Sequence, residues 1–156
     1  MRIFVTGACG FIGSHLVEKL IKNNYKVRAL TYYNPHDNIG CLKYLNKKIF
    51  DKIEIINGDV RDLQLISNCT KSTDVIIHLA ALIGIPYSYH AVKSYIDTNV
   101  NGTFNILNAA RINKVKKILI TSTSEVYGSA KEVPIKESHP LNAQSPYAAS
   151  KIAADQ

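Results

Sequence analysis

The sequence predicts one α/β domain built on a parallel β-sheet that helices cover on both faces, and three observations predict it. The chain opens with a short apolar, β-branched run, a glycine-rich turn and then a helical periodicity. Apolar runs of strand length recur downstream, separated by segments long enough for crossover helices. Those runs, DVIIHLAA and KILITS among them, show no polar alternation, which is what strands buried on both faces require.

Taken in order, Arg2 to Thr6 is the first strand, Gly7 to Gly13 a tight turn, and His15 to Ile21 carries the apolar spacing of a helix. Further strands are expected at Lys26 to Thr31, Ile53 to Asn57, Asp74 to His78 and Lys117 to Thr121. The stretch YYNPHDNIG, Tyr32 to Gly40, has few apolar residues and reads as a loop beside an adenosine site. From Ser145 a helix is expected that is still in progress at Gln156. No repeat, low-complexity tract or linker interrupts the chain, so residues 1–156 are read as one domain.

With 156 residues and 46% hydrophobic content, the chain can bury one ordinary core. It has no apolar run of membrane-spanning length and no signal-peptide pattern, which points to a soluble cytoplasmic protein. Cys9, Cys41 and Cys69 lack CxxC spacing, so neither a disulfide framework nor a metal site is expected. The formal charge of +7 favours an anionic partner. Its basic residues are scattered rather than striped with aromatics, which argues against nucleic acid and fits a phosphorylated small molecule.

Gly7-Ala8-Cys9-Gly10-Phe11-Ile12-Gly13 joins the first strand to the first helix with GxxGxxG spacing. Glycine allows the sharp turn, close approach of a pyrophosphate, and tight packing of helix on strand, while the helix N-terminus presents unpaired N–H groups. A dinucleotide is therefore the expected ligand. The ribose-gripping acid expected roughly 20 residues later is replaced by Thr31, with Tyr32 and Tyr33 following. That leaves NAD and NADP both open, with NAD favoured. Asp59, after the third strand, either accepts a hydrogen bond from an adenine amine or makes a strand-end turn or cap. Tyr147 and Lys151 are four residues apart in SPYAASK, so a helix puts them on one face. There an ammonium can stabilise a phenolate and make tyrosine a base near neutral pH.

GxxGxxG, His78-Leu79-Ala80-Ala81, Thr98-Asn99-Val100, Ser122-Thr123-Ser124 and YxxxK together resemble the extended short-chain dehydrogenase/reductase family, over essentially the whole chain. The resemblance implies a doubly wound Rossmann sheet, with Tyr147 as catalytic base and Lys151 on the nicotinamide ribose. A hydroxyl near Thr123 would orient the sugar. It further implies that the coenzyme is lined by the glycine-loop residues, Thr31, Asp59, Val60, Leu79, Ala80, Ala81 and Asn99. Tyr87, Ser88 and Tyr89 are expected on the loop after the fourth strand, either near the nicotinamide and sugar or packing that loop. Family members carry a further sugar-binding domain, so this chain is expected to be the incomplete cofactor-binding half. Homodimers are common in the family.

Within the family, Glu125 in Thr123-Ser124-Glu125-Val126-Tyr127-Gly128 looks like the glutamate of nucleotide-sugar 4,6-dehydratases that removes the C5 proton. Ser124 stands where some dehydratases have the Asp that protonates the leaving water, as in the GDP-mannose dehydratases. The runs around AALIGIPYSYHAVKSYIDTNV and QSPYAASKIAADQ look closest to dehydratases of the legionaminic acid pathway, which act on GDP-N-acetylglucosamine. The resemblance thus implies a nucleotide-sugar dehydratase, with a 4-epimerase and a non-catalytic dinucleotide-binding module as rivals.

Overall fold

The computed structural model describes residues 1–34, 36 and 38–156; Pro35 and Asp37, in the predicted loop, lie outside the described residues. Five strands, β1 (Arg2–Thr6), β2 (Lys26–Tyr32), β3 (Ile53–Gly58), β4 (Val75–His78) and β5 (Lys117–Ile120), form one sheet in the order β3-β2-β1-β4-β5. Every neighbouring pair is parallel, and Val5 of β1 lies opposite Ala29 of β2 and Ile77 of β4. This is the predicted Rossmann-type sheet, with strand ends within a residue of those expected.

Successive residues of one strand feed opposite faces. Phe4, Leu30 and Ile76 pack with Ile66, Ile106 and Ala109 under α3 (Leu63–Cys69) and α6 (Gly102–Ile112). Ile3, Val5, Val27 and Ala29 pack with Val17, Ile21 and Leu42 under α1 (Phe11–Lys22). Two apolar cores, one per face, are why the strands show no polar alternation. Short helical turns α2 (Lys47–Phe50), α4 (Ile85–Ser88) and α5 (Val92–Tyr95) fill the connections, and α7 (Pro146–Asp155) is the last element. Crossover helices α1, α3 and α6 are each followed by a turn residue of positive φ, Asn24, Ser72 and Lys114, before the chain re-enters the sheet.

Helix α5 continues through a π-helical turn, Ile96–Asn101, into α6. Sequence periodicity gave no warning of this wide turn. No helix among the described residues is long and apolar enough to cross a membrane. Because β2 and β3 extend from β1 in one direction and β4 and β5 in the other, the loops leaving β1 and β4 diverge. The crevice between them, at the carboxyl ends of the strands, is where open α/β sheets bind ligands.

Candidate active site

One wall of that crevice is the glycine loop. Gly7 has φ +66°, and a Cβ there would come within 2.7 Å of the Ala80 nitrogen. A Cβ on Gly13 would overlap the Gly7 carbonyl, because α1 is packed hard against the loop. Gly10 differs: a Cβ on it would meet only the Gly7 oxygen, at 3.4 Å. The bareness of Gly10 thus serves the space outside the protein rather than its packing. Gly10 is also the N-cap of α1, with no side-chain cap, so the first N–H groups of the helix, from Phe11 and Ile12, face outward. The arrangement fits a pyrophosphate cradle.

The opposite wall follows β4. Leu79 and Ala80 donate their N–H groups to the carbonyl and hydroxyl of Thr6, at 3.3 and 3.1 Å, which seats this segment against the glycine loop. Ala81 is half-buried beside it. Beneath them lies a polar chain that the sequence did not announce. His78 Nδ1 is 2.7 Å from Thr6 Oγ1 and its Nε2 is 3.1 Å from Thr103 Oγ1, with the ring buried. Burial, and secondarily the Lys151 ammonium, lower its pKa to about 4.

Asn99, expected along the coenzyme, has its side chain engaged within the protein. Its side-chain oxygen accepts from Leu82 N–H, and its amide donates to Leu82 O and to Ser150 Oγ, all at 2.8–2.9 Å. Buried and fully engaged, Asn99 ties the β4 wall to α7. The π-helical turn brings it there. Ser88 takes the packing alternative: it belongs to helical α4, is fully buried, and its hydroxyl donates to Ile85 O at 2.6 Å. Tyr87 stays exposed, and the Tyr89 hydroxyl donates to Gln144 O at 2.9 Å.

Helix α7 starts where Ser145 accepts from Ala148 N–H, with Pro146 in the first turn. Tyr147 and Lys151 share its buried face. The Tyr147 ring stands edge-on to Tyr95, 6.3 Å between centroids. Lys151 Nζ donates to the Thr121 carbonyl at 2.7 Å, just past β5, and burial lowers its pKa. Two residues on, Thr123 caps a turn, Ser124–Tyr127, by accepting from Glu125 N–H at 3.3 Å. Ser124 and Glu125 are exposed on that turn. The Ser124–Tyr127 turn packs against α7, so Ser124 and Glu125 lie on an element adjacent to the helix that carries Tyr147 and Lys151. A phenol, an ammonium and one exposed carboxylate on adjacent elements can serve two proton transfers.

At the far end of the crevice, Thr31 turns its side chain toward the neighbouring strand. Its hydroxyl donates to Asn57 Oδ1 at 2.6 Å in the neighbouring strand, and the residue is buried. Val60 buries its side chain in the core and can offer only its backbone. Asp59 makes the strand-end turn, accepting Arg61 N–H at 2.9 Å, and forms an ion pair with the Arg61 guanidinium. That pairing lowers the Asp59 pKa.

Residues 4–156 match the profile of the GDP-mannose 4,6 dehydratase family. The chain belongs to this family. Among relatives of this GDP-mannose 4,6 dehydratase family member, a Methanocaldococcus jannaschii protein provisionally named UDP-glucose 4-epimerase is 40% identical over 99% of this chain and 48% of its own length. The fold matches a dTDP-glucose 4,6-dehydratase of Streptomyces venezuelae, crystallised with NAD, at TM-score 0.84 and 35% identity, covering 99% of this chain and 49% of that one. It equally matches a UDP-glucose 4-epimerase of Bifidobacterium longum in complex with NAD+ and UDP, at TM-score 0.87 and 30% identity, covering 100% and 47%. The chain spans about half the length of the relatives it matches. The dehydratases and epimerases of the family are enzymes that act on nucleotide sugars, and both reactions are represented at similar likeness.

Proposed function

We propose that the protein is a cytoplasmic, NAD-dependent nucleotide-sugar 4,6-dehydratase, a lyase, whose coenzyme half is residues 1–156. Its substrate is of the GDP- or UDP-N-acetylglucosamine type. The observation that carries this reading is Glu125, an exposed carboxylate on the turn capped by Thr123 and close to α7, which carries Tyr147 and Lys151.

In this reading the glycine loop and the N-terminus of α1 hold the pyrophosphate, the Asp59–Val60 turn receives the adenine, and Leu79, Ala80 and Ala81 flank the nicotinamide half. Held there, NAD would supply the reversible hydride chemistry that oxidation at C4 and reduction at C6 of the sugar require. Tyr147 removes the proton of the 4-hydroxyl, which Thr123 orients. Lys151, anchored on Thr121, stabilises the phenolate and holds the nicotinamide ribose. With a ketone at C4 the C5 proton is acidic; Glu125 would take it as the C6 hydroxyl, protonated through Ser124 from solvent, leaves as water, and Glu125 would return that proton to C5 when hydride adds to C6.

A 4-epimerase is the second reading, favoured by the likeness to the Bifidobacterium longum enzyme; it uses Tyr147 and Lys151 but has no task for Glu125. Product mass separates the two, since dehydration loses one water and epimerisation none. Glu125→Gln should keep hydride transfer, seen as transient nicotinamide reduction, while lowering dehydration by about 10²-fold or more, as expected for removal of a general base. Undiminished dehydration in that variant would sink the assignment. A non-catalytic module would bind NAD and turn over neither substrate.

A further inference from the structure

The ring of Tyr147 rests against a second tyrosine to which the proposed steps give no task. Tyr95, the last residue of α5, is 1% exposed and is the bulkiest fully buried side chain among the described residues. Its hydroxyl donates to Gly84 O at 2.6 Å. Burial, and secondarily the neighbouring Tyr87, push its pKa above the ordinary tyrosine value, so it stays a protonated donor and is no base itself. Its ring stands at 77° to that of Tyr147, with 6.3 Å between centroids.

Gly84 lies two residues beyond Leu82 on the segment that continues the β4 wall, and it is the N-cap of α4. Four residues after Tyr95, Asn99 bonds Leu82 on that segment and Ser150 on α7, and Ser150 Oγ in turn donates to Tyr147 O at 2.7 Å. The helix that begins at α5 thus spans the β4 wall and α7 twice. Asn99 settles where the α7 backbone lies, and Tyr95 settles the ring carried on it. A buried ring packed edge-on against another is confined to a narrow set of orientations. Proton abstraction needs such confinement, because a misplacement of about 1 Å can cost on the order of 10²-fold in rate.

We infer that Tyr95 is a positioning residue for Tyr147: anchored through its hydroxyl on Gly84, it holds the Tyr147 ring at a fixed place relative to the β4 wall. This rests on the reading of Tyr147 as the base. The β4 wall is where the nicotinamide half is proposed to lie, so one strut sets the spacing between the group that takes the proton and the group that takes the hydride.

The test compares Tyr95→Leu, which removes ring and anchor, with Tyr95→Phe, which keeps the ring and removes the anchor, in the full-length protein. Nicotinamide reduction is followed with GDP- and UDP-N-acetylglucosamine as probes, NAD affinity by calorimetry, and folding by thermal melts. Tyr95→Leu should slow reduction by about 10²-fold while the NAD dissociation constant and the KM for the sugar stay within about twofold of wild type. Tyr95→Phe should lie between, about three- to tenfold slower than wild type, because the ring contact survives without its anchor. Wild-type reduction in either folded variant overturns the proposal, as does a fall in NAD affinity that matches the fall in rate, which is what a merely structural tyrosine gives. Should Tyr95→Leu fail to fold, Tyr95→Phe decides by the same criteria. Tyr147→Phe is the control: undiminished reduction there defeats the base reading and this inference with it, whereas a dead Tyr147→Phe beside undiminished Tyr95 variants overturns this inference alone. No reduction by the wild type with either sugar would defeat the proposed function first, and the inference with it.

Discussion

His78 is held neutral inside the sheet, and that has a cost in acid. Its pKa is about 4 in the fold, against an ordinary value of 6.5. Between those values the unfolded chain binds a proton that the folded chain excludes, so stability rises with pH across the window and falls as pH drops from about 6.5 to about 4. The loss approaches ~3 kcal/mol, at ~1.4 kcal/mol per pH unit. Chemical denaturation at stepped pH should show this slope in the wild type and not in His78→Gln, which can still donate and accept but cannot titrate. Equal slopes in the two proteins would mean that His78 is not the group responsible. The role of His78 was not legible in the sequence because its partners, Thr6, Thr103 and Lys151, are ordinary letters far apart in the chain. Tyr147 and Lys151 were legible because one helical turn brings them together without help from the fold. Thr31 and Asn99 were found at informative positions, but whether a side chain faces the crevice or its own neighbours depends on packing that one sequence does not state.

At the scale of elements, the strands were readable because burial on both faces leaves an uninterrupted apolar signature in each. The helix Val92–Ile112 was not, since its π-helical turn breaks the period that would have announced it. The glycine loop is the element in which position and chemistry coincide, and its three glycines do different things. Gly13→Ala forces a methyl group into the Gly7 carbonyl and should destabilise the fold by about 1–3 kcal/mol, as overpacking does. Gly10→Ala meets only one atom, at ordinary contact distance. It should leave the melting temperature nearly unchanged while weakening NAD binding about tenfold or more, because its methyl group would enter the space that the proposed reading gives to a pyrophosphate. Melting and calorimetry on the two variants read these effects separately. A Gly10→Ala protein that binds NAD as the wild type does would show that the bare loop serves only the turn.

Across the whole molecule, the crevice joins three regions that no single element contains: the glycine loop over β1, the Asp59–Arg61 turn after β3, and α7 facing the end of β5. A dinucleotide reaching from Asp59 to Lys151 would bridge the sheet on both sides of its switch point, so its binding should stabilise the molecule as a unit. A ligand present at a hundred times its dissociation constant, and bound only by the folded state, adds ~2.7 kcal/mol. For a chain of this size, each kcal/mol moves the midpoint by about 2–4 °C, giving a rise of about 5–10 °C with saturating NAD. NADP should raise it less, because the Arg61 guanidinium, on the turn proposed to receive the adenine, is already held by Asp59 rather than free to meet a 2′-phosphate. The net charge of +7 adds a long-range attraction for the pyrophosphate that salt screens, so the rise at subsaturating NAD should shrink as ionic strength increases. A cooperative melt that neither dinucleotide shifts would separate fold from function, leaving a Rossmann sheet whose crevice does not hold the coenzyme. A larger rise with NADP would locate a free cation at the ribose and overturn the preference argued from Arg61.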